Sequence, residues 1–332
     1  MSVVQIQEKA GIPKYKQIVS SIENAITFKK VKKGDKLPSI NSIKNKYKLS
    51  RDTVLLAYNE LKTRGIVQSI PGKGYYVNSE SVHITQKVFL LFDELNAFKE
   101  DLYKSFIKNL GENIEVDIFF HHFNYEVFKK LIFDNVGNYH TYIIMPAKLK
   151  GIAHILDNLP DDKVYLLDQT NDEFKKYPAI YQPFEKDIFN GLLDGVDLIR
   201  RYDRLVFLFQ EDKQPDGLLR GFEKFCKMNR IHGINIDSLE NFTIEKGDAF
   251  IIPDDRNLIR IIKKTKELRL RIARDIGVIS YNDTLLKEIV ENGITTISTD
   301  FKAMGKKLAT MILNNETGKI ENENKLIIRN SI

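Results

Sequence analysis

The hydrophobic and polar positions of this chain change their rhythm near residue 80. Before that point the apolar residues keep helical spacing. Tyr15, Ile18, Val19, Ile22 and Ile26 fall on one face and predict a helix from Pro13 to about Phe28. Pro13 suits a first turn, where its missing N–H costs nothing. Ser39 is placed to cap a short helix ending near Tyr47, and Ser50 a third helix whose inward face is Val54, Ala57/Tyr58 and Leu61. Gly65 ends that helix. Residues 66–70 read as a strand, Pro71-Gly72-Lys73-Gly74 as a tight turn and Tyr75-Tyr76-Val77 as the returning strand. Residues 78–86 are polar and aperiodic, which predicts a linker.

From Lys87 onward, short apolar runs alternate with amphipathic stretches. Strands are expected at 88–92, 115–120, 142–146, 163–168, 204–210, 249–253 and 276–281. Helices are expected at 97–110, 125–136, 184–201, 217–228 and 255–267. Near-continuous apolar strands separated by helices imply α/β architecture, a parallel sheet covered on both faces. About 245 residues suit two such lobes better than one. The expected domains are therefore 1–77, the linker 78–86, and 87–332.

Composition narrows the class. The chain has 332 residues, 42% hydrophobic and 29% charged, enough apolar material for two cores. Its longest apolar runs fall far short of the ~18 residues of a membrane span. The first residues carry no basic-then-apolar secretion pattern. A single cysteine, Cys226, forbids an internal disulfide and any multi-cysteine zinc site. A cytoplasmic protein without cofactor or metal is the expectation. Charge is divided unevenly. Residues 1–80 hold 15 Lys and Arg against 6 Asp and Glu, a net of +9; the whole chain carries +6, leaving −3 for the rest. A basic module on a mildly acidic body is suited to meeting a polyanion at one end.

The candidate chemistry fits that partner. Two short helices joined by a brief turn form a helix-turn-helix, whose second helix presents its N-terminal residues to base edges in the major groove. Those residues are Ser50, Arg51, Asp52 and Thr53. Arg51 can donate a fork to guanine, and the hydroxyls can bond phosphate or bases. The plainer alternative is a capped helix start with solvated charges. The basic hairpin that follows is placed as a wing, its glycines allowing close backbone approach and Lys73 reaching phosphate or the minor groove. The stretch KGDKLPSINSIKNKYKLSRDTVLLAYNELKTRGIVQSIPGKGYYV resembles the winged-helix domain of GntR-family transcription regulators. That resemblance implies DNA contacts at Ser50, Arg51, Asp52, Thr53, Gly72 and Lys73. Ser39 and Asn41, at the start of the preceding helix, complete the candidate DNA-facing set. Many family members have arginine where Asn41 and Leu55 stand, so a different operator is expected.

In the body, ligands of open α/β sheets bind beyond the carboxyl ends of strands. Asp93, Asp168, Asp254 and Asn282 stand at such ends, with Asn96 and Phe98 just past the first. Carboxylates, amides and aromatics of this kind hold polyhydroxylated ligands; taken singly, each could instead cap a helix. The stretch from Gly247 to Leu313, with RGFEKF at 220–225, resembles the effector domain of LacI/GalR regulators, a two-lobed fold of the type I periplasmic-binding-protein kind. It implies ligand contacts at Asp254, Asn282 and Asp168, and at Asn96 and Phe98. The family's arginine falls at Leu218 here, while Arg220 lies beside Gly221; this argues mildly against a carboxylate or phosphate ligand.

Enzyme motifs (HExxH, GxSxG, GxGxxG, Walker) are absent from the sequence. The reading expected from sequence is a non-enzymatic, ligand-responsive repressor of a catabolic operon. It would bind a pseudo-palindromic double-stranded operator as a homodimer and hold a monosaccharide or derivative between two lobes. The alternative is a solute-binding or sensor protein whose helix-turn-helix contacts protein, a role for which +9 on residues 1–80 is not needed.

Overall fold

A computed structural model describes residues 3–6, 13–82 and 86–332. The linker expected at 78–86 lies partly outside the described residues. The chain forms two compact units. One holds the described residues up to Phe92, with Gly111–Ile144 and Gly151–Tyr165; the other holds Asp93–Leu110, Met145–Lys150 and Leu166–Ile332.

The first unit opens with three helices and a hairpin: α1 (Lys14–Thr27), α2 (Ile40–Tyr47), α3 (Arg51–Thr63), β1 (Val67–Ile70) and β2 (Gly74–Val77). Their periodic residues meet in one core. Ile18, Val19, Ile22 and Ile26 of α1 pack with Ile43 of α2, with Val54, Ala57, Tyr58 and Leu61 of α3, and with Val67 and Val77 of the hairpin. Both predicted caps form. Ser39 Oγ accepts from the Ser42 N–H at 3.1 Å, and Ser50 Oγ from the Thr53 N–H at 3.1 Å. Lys48 adopts the left-handed conformation that closes α2, and the turn to α3 is three residues long. The hairpin pairs antiparallel, Val67 opposite Val77.

The remaining elements follow in order. They are β3 (Gln86–Phe92), α4 (Ala97–Leu110), β4 (Ile114–Phe120), α5 (Tyr125–Asn135), β5 (Thr141–Ile144), α6 (Ala153–Leu156), β6 (Val164–Asp168), β7 (Ala179–Tyr181), α7 (Phe184–Asp194) and α8 (Val196–Ile199). Then come β8 (Arg204–Leu208), α9 (Asp216–Asn229), β9 (Gly233–Ile236), β10 (Asp248–Ile252), α10 (Asp255–Glu267), β11 (Gly277–Tyr281), α11 (Leu285–Ile289), β12 (Thr295–Thr299), α12 (Phe301–Leu313), β13 (Lys319–Glu321) and β14 (Asn324–Ile327). The strands make two six-stranded sheets, in the orders β13-β7-β6-β5-β3-β4 and β14-β12-β11-β10-β8-β9.

The strand pairs described in both sheets are parallel, with one departure from the expected pattern. β14 runs antiparallel to β12, Ile297 opposite Leu326. The helix expected over 184–201 divides at Gly195 into α7 and α8. Within the second unit two helix pairs touch closely: α9 against α7 and α12 against α4. Each pair depends on a glycine. A Cβ on Gly221 would meet the Glu185 carbonyl oxygen at 2.3 Å, and one on Gly305 the Leu102 carbonyl oxygen at 2.3 Å.

Candidate functional site

The DNA-facing candidates occupy one end of the first unit's helix-turn-helix and its hairpin tip. Arg51 and Asp52 open α3 and are exposed, while the rest of that helix alternates into the core. Ser50 is the cap itself, and its Oγ lies 2.8 Å from Thr53 Oγ1. Both hydroxyls are thus partly engaged in starting the helix; each oxygen has further capacity for a phosphate. Asn41 is exposed in the first turn of α2, two residues after the Ser39 cap. Gly72 has φ +71 and nothing within 4 Å of a would-be Cβ, so the turn leaves open space beside the backbone. Lys73 is exposed at the same turn.

Sequence reasoning passed over Lys36, Lys44 and Lys46. Lys36 bridges to Tyr76 of the hairpin, with Nζ 6.0 Å from that ring's centroid. Lys44 and Lys46 are exposed in the last turn of α2. The only signal for them was local lysine density, which does not tell a DNA-facing surface from a solvated one.

The strand-end residues of the body meet different fates. Asp93 and Asp168 come together in the second unit. Both are buried, and the buried ammonium of Lys99 donates to Asp93 Oδ1. Asp168 ends β6 in a left-handed conformation, φ +76, and its Oδ1 accepts from the side-chain amide of Gln182. Burial pushes the Asp168 carboxyl up to about 6; Lys99 pulls it down and the Asp93 carboxylate pushes it up. Gln182 in turn accepts from Thr299 Oγ1 at 2.6 Å. Gln182 also lines a cavity of about 870 Å³, with Lys148, Gln169, Tyr181, Phe184, Glu185 and Arg220 among the other lining residues. Arg220 is on this wall, exposed and paired with Glu185 at 3.0 Å.

The other candidates are more local. Asn96 Oδ1 accepts from the Lys99 N–H at 3.1 Å in the first turn of α4. Phe98 stacks on Phe301, ring centroids 4.7 Å apart. Asp254 is the N-cap of α10, as the plainer account of strand-end carboxylates has it. Asn282 follows β11 with φ +59, and its Oδ1 is buried without a hydrogen-bond partner. Its carbonyl accepts from the buried Lys287 ammonium at 2.7 Å, which also reaches the Tyr281 carbonyl at 2.9 Å and Asp255 at 2.9 Å. Near Asp168 and Gln182, two further buried groups were missed. Tyr281 and Asp187 each keep a buried side-chain oxygen without a partner. Burial raises both, Asp187 to about 7. No cluster of three or more metal-ligating side chains occurs among the described residues.

Comparison with known proteins adds to this geometry. The pattern of the bacterial regulatory proteins of the gntR family matches residues 14–77, the helix-turn-helix and hairpin just described. That of the periplasmic binding protein-like domain matches residues 199–332. The chain joins a GntR-family DNA-binding domain to a periplasmic-binding-protein-like domain. The arabinose metabolism transcriptional repressor of Geobacillus stearothermophilus is 22% identical, over 96% of this chain and 98% of its own. Other curated matches are confined to a shorter stretch, and the chain spans as little as 15% of such a relative's length. Solved structures share the fold of the periplasmic-binding-protein-like domain. A LacI family regulator from Silicibacter pomeroyi aligns with a TM-score of 0.63 at 13% identity, over 74% of this chain and 98% of that one. The trehalose repressor from Escherichia coli aligns at 0.62 and 15%, over 73% and 99%. Among the described residues no helix is long and apolar enough to cross a membrane.

Proposed function

We propose that this chain is a cytoplasmic, ligand-responsive repressor of a catabolic operon, divided at 1–77, 78–86 and 87–332. The observation that carries the DNA half is the N-terminus of α3. Arg51 and Asp52 are exposed there, on a helix held by a buried core, within residues 1–80, which carry a net charge of +9. Arg51 reads a base; Ser39, Asn41, Ser50, Asp52 and Thr53 complete the major-groove face, and Gly72 and Lys73 bring the wing to the backbone.

The effector is a monosaccharide or close derivative held in the periplasmic-binding-protein-like domain. Asp93, Asn96, Phe98, Asp168, Arg220 and Asn282 are its proposed contacts, with Asp168 and Asn282 the strongest. The partnerless Oδ1 of Asn282 is a buried acceptor, and the oxygens of Tyr281 and Asp187 can donate or accept; sugar hydroxyls, which do both, would satisfy all three. Of the five basic residues that line the cavity, Lys148, Lys186, Arg220 and Lys224 are paired with carboxylates, the last two sharing Glu185, and Lys150 is the fifth; this balance suits a neutral ligand better than a phosphate. The name of the full-length arabinose repressor relative supports the sugar class.

The active species is a homodimer on a pseudo-palindromic operator, because one short helix reads too few base pairs to find a site in a genome. Leu285 and Ile289 support it. They lie four residues apart on α11, each 78% exposed, an apolar surface suited to a second copy. The test selects duplexes from a random pool with the purified chain, then screens L-arabinose and other monosaccharides by thermal shift and by release of DNA. A preferred two-fold site and one sugar that both raises Tm and changes DNA affinity are expected. No selected site, or a thermal shift without any effect on DNA, would overturn the reading.

A further inference from the structure

Helix α3 does not divide cleanly into an apolar inner face and a polar outer one. Val54, Ala57, Tyr58 and Leu61 are buried in the core of the N-terminal module. Leu55 and Leu56 are the other large apolar residues of the helix, and neither joins that core among the described residues. Leu55 is half-buried and Leu56 is 51% exposed. At 3.6 residues per turn the four buried positions share an arc of about 100°, and both leucines lie outside it. Leu55 stands one turn behind Arg51, and Leu56 one turn behind Asp52. Residues four apart lie on the same face of a helix, so each leucine continues the face of one of the two exposed residues that open α3.

Single exposed leucines are ordinary on a protein surface. This pair is adjacent, and it continues the face proposed to enter DNA. The exposed positions around it on α3 are polar: Arg51, Asp52 and Asn59. Residues 1–80 carry a net charge of +9, so the complementary occupant is a polyanion. Leucine has no donor or acceptor, and it cannot take part in the hydrogen-bond pattern of a base edge. The major groove does display one apolar group, the C5-methyl of thymine. A leucine against cytosine would instead strip water from the N4 amino group and give it no partner.

We propose that Leu55 and Leu56 read thymine methyl groups in the operator, beside the base read by Arg51. The inference rests on the proposed placement of α3 in the major groove and adds what that face selects. One helical turn rises ~5.4 Å, against ~3.4 Å for one base pair, so the methyls lie within about two base pairs of the Arg51 contact.

The test uses the full chain and the duplex it selects from a random pool. Each thymine of one half-site is replaced in turn by deoxyuridine, which removes only the methyl, and affinity is read by fluorescence anisotropy. At thymines within that window the replacement should weaken binding about fourfold, the worth of one buried methylene-sized group. Elsewhere in the duplex it should be silent. Leu55→Ala and Leu56→Ala should melt like the wild type, because alanine favours a helix and neither side chain is in the core. Each variant should bind the thymine operator several-fold more weakly and no longer distinguish deoxyuridine from thymine at its own position. Affinity for random duplex should not change. A variant that still discriminates as the wild type does removes its leucine from the assignment. The whole assignment is overturned if both variants do so, if no thymine falls in the window, or if deoxyuridine is silent at every thymine there. A chain that selects no duplex fails the DNA reading itself, and the leucine assignment falls with it. A chain that selects a duplex and ignores its methyls fails the leucine assignment alone.

Discussion

Asp254 accepts twice from the same residue: from the backbone N–H of Asn257 at 2.9 Å and from its side-chain amide at 2.8 Å. Both carboxylate oxygens thus serve the start of α10. Asp254→Ala should cost about 1 kcal/mol of stability, the worth of a helix cap, and leave the response to effector intact. Denaturant unfolding and a DNA-release assay on one preparation check this. Unchanged stability with a lost response would return Asp254 to the ligand.

This residue shows where sequence reasoning reaches its limit. A carboxylate after an apolar strand is legible as strand-end chemistry, but capping and ligand binding demand the same residue in the same place. The helix-turn-helix and hairpin were legible nearly to the residue, because caps at Ser39 and Ser50, a turn glycine and helical periodicity all agree there. The long strands of the body were legible from their apolar runs. β7, β9 and β13 have three or four residues, too few to show a period, and β14 is a half-exposed edge strand. Gln182 and Thr299 are 117 positions apart and carry no local signal at all. Only the topology brings them together.

Arg51 and Lys73 should separate by kind of contact. Arg51→Ala should lower affinity for a selected operator by about 1–3 kcal/mol while barely changing affinity for random duplex. Lys73→Ala should weaken all sequences alike and reduce the salt slope by about one. Fluorescence anisotropy on both duplexes distinguishes them. An equal loss on both duplexes for Arg51→Ala would make it a phosphate contact.

Asp187 should make stability depend on pH. Burial, with help from the Glu321 carboxylate and against the pull of Lys186, raises its carboxyl from 3.8 to about 7. Between those values the folded chain keeps a proton that the unfolded chain has lost. The site's contribution is therefore greatest below pH 3.8 and falls as pH rises to 7. Asp187→Asn cannot ionise, so its stability relative to wild type should improve steadily over that window and then level off. One pKa unit corresponds to about 1.4 kcal/mol, enough to move a urea midpoint. His140 slopes the other way, since burial, Lys163 and Arg64 lower it to about 4; comparing variant with wild type cancels it. A pH-independent difference would contradict the assignment.

The apolar face of α11 gives the test of assembly. Leu285→Asp with Ile289→Asp places charge on two exposed positions and removes no buried contact. The variant should keep its melting temperature within a few degrees and sediment as a monomer. A variant that stays dimeric would move the interface elsewhere.

In the proposed function the basic N-terminal module binds operator DNA and the body controls it. The most direct measurement is the binding constant of the full chain for a selected operator duplex, taken across salt concentrations, with and without the sugar found by thermal shift. Log affinity should fall steeply and linearly with log salt, as several phosphates are neutralised, and affinity should change at least about fivefold on adding the sugar. A salt-independent affinity, or one that the bound sugar leaves unchanged, would contradict that function.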